Sequence, residues 1–406
     1  MRIARLEPFI QHYVWGDRES IPDLLGRDRD GRPWAELWLG VHPKGPARVL
    51  DEQQHTVPLA HYIAEDPPGI LGSSGERFNG ELPFLMKILA VGSPLSIQCH
   101  PTLAQAEAGF ARENRLGLTL DNLGRNYRDA NHKPEIICAL TPFTALCGFR
   151  TLEEIDRLFA TVESKVYADV LHPLLAGDDG DEQRCYREFF IRLMTLESGL
   201  KEQLLADLHD AAVRLATQQR EFMIISRLLE LYPDDIAAAA PLYLNLVELV
   251  PGEALYQPAG ELHAYLEGVG VEVMANSDNV LRGGLTPKHV DLDELAAIMQ
   301  FTGSDKEKTI ARAAEAGLLR YETPATEFRL QAVLPDSSIT VSGRHSIEIL
   351  ICTGGSAELR YAEGGELMSY SLARGQACCV PAGIREYRIE TDGEGMLYSS
   401  SIPDPC

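Results

Sequence analysis

The passage that most limits what this chain can fold into occurs twice. Leu249-x-x-Gly252-x-Ala254-x-x-x-Pro258-Ala259-Gly260 returns 123 residues later as Leu372-x-x-Gly375-x-Ala377-x-x-x-Pro381-Ala382-Gly383. Each copy reads as a strand end, a glycine turn, a second strand and a Pro-Ala-Gly turn, the parts of a jelly-roll edge. Two β units of one type are therefore expected. The copies diverge where chemistry could reside, because His263 of the first aligns with Glu386 of the second. A metal ligand at His263 would have no counterpart, and the second unit would be structural.

At 406 residues the chain is longer than a single core supports, so two or three packed units are expected. Between Thr151 and Tyr232 the pattern turns helical. Thr151-Leu-Glu-Glu154 is a capping box, and Leu204, Leu208, Ala212 and Leu215 fall at helical spacing. Strand-like text resumes at Leu242. A short amphipathic helix is predicted over Leu292–Met299, a polar linker over Gly303–Lys308, and β pattern from Pro324 onward. The run Pro83–Pro101 reads as two apolar strands divided by Gly92, Ser93 and Pro94, a hairpin or two neighbours. The expected architecture is mainly β with an inserted α-helical domain and two jelly-roll β-barrels. Residues 1–150 plus 241–305 form a discontinuous first unit, 151–240 the helical insertion, and 306–406 a degenerate C-terminal barrel.

With 37 Lys and Arg against 60 Asp and Glu, the formal charge of −23 disfavours nucleic acid and anionic membranes as partners. An anionic small molecule would need locally clustered cations. No stretch reaches the ~18 apolar residues that span a bilayer, and the start MRIARLEPFI lacks the apolar region of a signal peptide. Eight cysteines without a CxxC pair fit a reducing compartment. A soluble, cytoplasmic chain is expected.

Ser96, Gln98 and His100 alternate with apolar neighbours, so on a strand they share one face, either solvated or ligand-bearing. Asn131-His-Lys-Pro-Glu135 opens another apolar run, with Lys133 and Glu135 two apart. Taken together, Gln98, His100, Glu135 and His263 offer an amide oxygen, two imidazoles and a carboxylate, a set suited to zinc or another divalent metal. One carboxylate leaves such a centre Lewis acidic. Val271–Lys288 carries the turn formers Asn276, Ser277, Asp278 and Asn279, then Gly283 and Gly284. It is a polar loop, or one that carries cations for a phosphate: Arg282 binds oxygens bidentately and Lys288 acts as a point charge. Lys87 lies in the apolar run Phe-Leu-Met-Lys-Ile-Leu, where a lysine needs a partner or snorkels. No GxxxxGK or GxGxxG loop is visible.

These segments resemble the type I mannose-6-phosphate isomerases, zinc enzymes of cupin type, across essentially the whole chain. The motifs that carry the resemblance are Tyr-Val-Trp-Gly at 13–16, Ala-Glu-Leu-Trp-Leu-Gly at 35–40, Pro-Leu-Ser-Ile-Gln-Cys-His-Pro at 94–101, Asn-His-Lys-Pro-Glu at 131–135, the segment 258–268 and the segment 271–288. Their order is more specific than any one of them. The resemblance implies cupin-like barrels, one zinc per chain held by Gln98, His100, Glu135 and His263, and a phosphosugar substrate. It also implicates Trp15, Lys87, Ser96, Lys133, Tyr265, Glu272, Asp278, Arg282 and Lys288, and a monomer is expected. One departure is Gly283, where relatives commonly have alanine.

An aldose to ketose conversion moves one proton between C2 and C1 through a cis-enediol. Glu272 or Lys133 is the expected shuttle, Asp278 or His100 assists ring opening, and Arg282 stabilises the enediolate or phosphate. As a base near neutral pH, Lys133 needs a pKa well below its ordinary value of about 10.4. Two other readings compete. A metal cupin can bind a sugar without transforming it. An iron(II) oxygenase can be built on two histidines and a carboxylate, although Gln98 would close a position that oxygen requires.

Overall fold

The computed structural model describes residues 1–50, 55–175, 181–303 and 311–403. Among these residues the strands form three sheets of ten, nine and four strands. A run of helices from Leu152 to Tyr243 separates strands Phe143–Phe149 and Leu244–Leu249, which pair directly with each other, so the chain leaves one sheet and rejoins it beside the point of departure. The run opens at the expected capping box, with both reciprocal hydrogen bonds between Thr151 and Glu154 formed. Among the described residues no helix is long and apolar enough to cross a membrane.

The long strand His263–Ala275 organises the ten-stranded sheet. Its first part pairs with Phe143–Phe149 and, at His263, with Gln98. Its second part lies between Phe84–Val91 and Glu135–Ala139. The change of partners falls at Gly268, whose φ is 116° and whose would-be Cβ lies 2.7 Å from the Pro142 carbonyl oxygen. A side chain would be excluded twice over there, and the glycine lets the strand bend.

Alternation along the strands then sorts chemistry from packing. Leu262, Ala264 and Leu266, with Ile97, Cys99 and Leu281, join the helical core of Phe149, Phe159, Phe189 and Phe190. Their neighbours His263 and Tyr265 face the other way, Tyr265 onto an apolar floor of Leu89, Ile137, Phe143 and Leu255. In the same manner Ile136 and Cys138 join the core between the two large sheets, whereas Ile137 belongs to the floor. The nine-stranded and four-stranded sheets enclose a separate core that includes Val333, Leu350, Leu397, Leu359 and Ile389.

Both repeat copies take the expected local form. Leu244–Leu249 turns through Gly252 (φ 89°) into Ala254–Gln257, and Glu366–Ala373 turns through Gly375 (φ 80°) into Ala377–Val380.

Other expectations need revision. Ala4–Glu7 pairs with Ala377–Val380, and Arg48–Leu50 and Thr56–Pro58 continue outward from it, so this N-terminal text extends the sheet of the C-terminal half. Of the two runs in Pro83–Pro101, Phe84–Val91 is a full strand, but only Gln98–Cys99 is strand in the second. They do not pair with each other, because the long strand takes a bonding edge of each, and Ser96 lies before the strand begins. Leu242 is still helical, in Ala240–Tyr243, where Pro241 sits in the first turn and costs no hydrogen bond. The predicted helix after Asp291 spans Leu292–Ile298. Beyond Gly303 the predicted linker, with the domain boundary at 305–306, lies outside the described residues.

Candidate metal centre

Three strands bring His100, Glu135 and His263 to one point. His263 pairs with Gln98, two residues before His100, while Glu135 pairs with Met274 at the far end of the strand that His263 begins. The three side chains are at most 1% exposed, and one ligand atom from each lies within 4.8 Å of the others. Glu135 Oε1 is 3.5 Å from His100 Nε2, and Glu135 Oε2 is 3.5 Å from His263 Nε2. All four of these atoms are buried, and apart from the Lys133 ammonium beside Glu135 Oε1 none has a partner in the protein. Three convergent lone-pair atoms that nothing in the protein satisfies, beside a fourth that meets only the Lys133 ammonium, are costly unless a further cation takes them, so the donor set fits a divalent ion.

The outer nitrogens fix the tautomers. His100 Nδ1 lies 2.7 Å from the Asn279 carbonyl and His263 Nδ1 lies 3.1 Å from the Glu261 carbonyl, so each donates a proton outward and turns a lone pair inward. Burial, with the Lys133 charge adding to it, pulls the His100 pKa down to about 4, which keeps the imidazole neutral. Burial opposes ionisation of Glu135, but Lys133 and His100 outweigh it and hold its carboxyl well below the ordinary range. Lys133 Nζ sits 2.5 Å from Glu135 Oε1. Gln98 is half-buried between His263 and Arg282 in the register, with its side chain on their face of the sheet.

A second charged group stands further along the interior. Lys87 and Glu272 are directly opposite in the register, with Nζ to Oε2 at 2.8 Å, and Glu36 lies 3.7 Å from the same ammonium. Burial would lower the Lys87 pKa, but Glu272 and Glu36 reverse the shift and keep it charged. Glu272 is raised, by burial first and by its neighbours Glu135 and Glu36, against the pull of Lys87. It therefore accepts a proton more readily than an exposed glutamate. Tyr265 is 1% exposed, its hydroxyl lies beside the Gln257 amide, and burial with Glu272 and Glu135 lifts its pKa far above the ordinary phenol.

The segment after the long strand brings cations beside the site, Arg282 being paired in register with Gln98. Arg282 is half-buried and Lys288 exposed, and among the described residues neither pairs with a carboxylate. Burial and the neighbouring Arg128 lower the Arg282 pKa. Burial, Arg282 and Lys44 lower that of Lys288. Asp278 is held by Lys44 at 2.8 Å and His42 at 3.4 Å, and despite partial burial these partners keep its carboxyl below the usual range. Trp15 is half-buried, stacked on Tyr13 at 5.8 Å, and Ser96 is half-buried.

Several participants escaped sequence reading. Glu36 stood inside a quoted motif, and a lone carboxylate in Ala-Glu-Leu-Trp-Leu was its signal. Gln257 is fully buried directly opposite Glu135, with the Tyr265 hydroxyl beside its amide. Its signal was the repeat, in which the other copy has Val380. The carbonyl of Asn279 leaves no side-chain signature at all.

A bent β sheet enclosing a buried imidazole-carboxylate-imidazole cluster, with the cations Arg282 and Lys288 in the neighbouring segment, defines a protein built around a candidate metal centre. The profile described as phosphomannose isomerase type I, catalytic domain, matches residues 3–152. The mannose-6-phosphate isomerase of Escherichia coli K12 is 40% identical over 394 residues, covering 96% of each chain, and the human enzyme is 34% identical over 385 residues, covering 87% of this chain and 88% of that one. A crystal structure of zinc-bound mannose 6-phosphate isomerase superposes with a TM-score of 0.90 at 35% identity over the full length of both chains. The chain belongs to the type I phosphomannose isomerase family.

Proposed function

We propose that this chain interconverts D-mannose 6-phosphate and D-fructose 6-phosphate with one zinc ion held by Gln98, His100, Glu135 and His263. The observation that carries this reading is the buried cluster of His100, Glu135 and His263, whose inward imidazole nitrogens no group of the protein satisfies, in a chain of this family. Zinc bound there supplies Lewis-acid stabilisation to substrate oxygens that gain negative charge, of the order of several kcal/mol.

The chain's own residues do the rest. Arg282 and Lys288, lacking carboxylate partners, take the phosphate, and Trp15 walls the mouth. Asp278, kept ionised by Lys44 and His42, takes the proton from the anomeric hydroxyl and passes it to the ring oxygen as the bond between C1 and that oxygen breaks. Both nitrogens of His100 are directed elsewhere, which leaves ring opening to Asp278. Glu272 removes the proton from C2 and returns it to C1, because burial has raised its basicity while Lys87 fixes its orientation. Lys133 holds Glu135 and donates toward the oxygen of the enediol. Ser96, Tyr265 and Lys87 bind the hydroxyls.

The supporting architecture is read as two cupin-like jelly rolls with the helical run as an insertion, on the strength of the repeat and the two separate interiors. Cytoplasmic location is supported by seven cysteines that are all buried and unbridged among the described residues. A monomer is the proposed state. The decisive assay follows solvent hydrogen at C2 of mannose 6-phosphate with and without chelator, then after zinc is restored. Recovered exchange and turnover support the reading. Tight sugar binding without exchange would leave a binding protein, and turnover that survives full metal removal would end the zinc assignment.

A further inference from the structure

The second β unit has its own polar interior, which the reaction above does not use. The repeat makes Gln257 and Val380 equivalent; Gln257 pairs with Glu135, and Val380 pairs with Glu348. Glu348 is therefore the positional counterpart of Glu135, and it is likewise buried, at 5% exposure. Where the first unit gathers imidazoles, the second supplies a guanidinium. Arg344 Nε lies 3.4 Å from Glu348 Oε2, its terminal nitrogens donate to the carbonyls of Ser346, Val380, Pro381 and Ile384, and the Tyr387 hydroxyl donates to Glu348 at 2.6 Å. A permanent organic cation thus replaces an exchangeable one.

Next to this pair opens a cavity of about 310 Å³. The register lays two polar rows across its floor, Arg320 beside Gln331 beside Ser399, then Arg329 beside Ser401 beside Glu348. The adjoining row is Leu318, Val333 and Leu397, which belong to or pack against the unit's apolar core. An inward sheet face that changes from apolar to polar within one residue step must meet something polar. Arg320 identifies its sign. Its Nε is buried without a hydrogen-bond partner, and among the described residues it makes no ion pair. Of the other guanidiniums that line the cavity, Arg344 is already neutralised and saturated, and Arg329 is engaged with a partner of its own.

We propose that this cavity binds a small oxyanion that also carries hydroxyl groups, with Arg320 as its charge partner and Gln331 and Ser399 as partners for the hydroxyls. The volume sits at the small end of ligand sites, about the size of a monosaccharide derivative. In a chain of charge −23 an anion binds only where cations have been placed for it. The second unit is then a binding unit in which the cation has become part of the protein.

The test is calorimetric titration of the full-length protein with inorganic phosphate, then with hexose 6-phosphate and with citrate. Two phosphate sites per chain are expected. Arg320→Gln should weaken one at least tenfold while leaving turnover at saturating substrate unchanged, and chelation should leave that site intact. Arg282→Gln should remove the other. Arg320→Lys, which keeps the charge, should bind phosphate within a few fold of the parent, and that rescue separates lost charge from damaged folding. Tighter binding of hexose 6-phosphate or of citrate identifies a phosphate or a carboxylate ligand. A single phosphate per chain that Arg320→Gln does not touch overturns the site, and hydroxylated anions that bind no tighter than phosphate overturn the role of Gln331 and Ser399.

Discussion

The two copies of the repeat each set a buried glutamate opposite the same step, Glu135 opposite Gln257 and Glu348 opposite Val380, and the two carboxylates are neutralised differently. In the first, Glu135 faces two imidazoles whose inward nitrogens have no other partner. In the second, Glu348 faces Arg344, every side of which is engaged by carbonyls. The first arrangement is costly until an ion arrives, and the second is satisfied as folded. A site that must exchange its cation keeps unsatisfied donors, and one that only needs to stay folded does not.

That contrast is most easily broken at the carboxylates. Glu135→Ala should abolish zinc binding and lower kcat/KM by about 10³ or more, since several kcal/mol of charge stabilisation depend on the ion. Atomic absorption on the purified variant reads the metal directly, and a variant that keeps zinc and its normal rate would falsify the ligand assignment. The matched change in the second unit, Glu348→Gln, leaves Arg344 buried without a counter-charge. It should cost about 3–5 kcal/mol of stability, read from urea unfolding, with zinc content and turnover per folded molecule unchanged. If Glu348→Gln cost less than about 1 kcal/mol, the claim that Arg344 depends on it for neutrality would be lost.

What could be read in the sequence follows the same line between local and distant. The repeat was legible because Gly252 and Gly375 and the Pro-Ala-Gly turns announce themselves within a dozen residues, and the Thr151 capping box is shorter still. His100, Glu135 and His263 were legible because metal donors are few and each opens or closes an apolar run. Register was not. Nothing near Lys87 says that it meets Glu272, nothing near Gln257 says that it meets Glu135, and the pairing of Ala4 with Cys379 joins opposite ends of the text. The pairing expected at Pro83–Pro101, a hairpin or two neighbours, is the same lesson: Phe84–Val91 was visible as a strand, but not that the second run would shorten to Gln98–Cys99 or that a third strand would take an edge of each.

A smaller effect tests the tie between the units. His132, in the segment that carries Lys133 and Glu135, lies 2.7 Å from Glu327 of the C-terminal half. Burial would raise the Glu327 pKa, but the hydrogen bond and charge of His132 lower it. A lowered folded pKa means that the ionised carboxylate stabilises the fold above the unfolded value, near pH 4.3, and that the contribution fades as pH falls through the folded value. Glu327→Gln should therefore cost about 1 kcal/mol at pH 7 and progressively less below pH 4, as measured by urea unfolding across that range. A deficit that stayed constant down to pH 3 would show that the carboxylate charge is not what matters.

The smallest change moves the first unit one step toward the second. Gln257 stands where the repeat has Val380, fully buried and, among the described residues, with only a loose contact to the Tyr265 hydroxyl to meet its amide. An amide in that condition costs about 1–3 kcal/mol unless water or a ligand meets it, whereas a side chain of similar shape without polar atoms costs nothing of the kind. Gln257→Leu is thus expected to leave stability unchanged or raise it by up to about 1 kcal/mol, with KM for mannose 6-phosphate within about twofold. A stability loss above about 1 kcal/mol would mean that an ordered water satisfies the amide. A rise in KM without that loss would bring Gln257 into the substrate site, and the difference between the two interiors would then extend beyond the cation to the sugar.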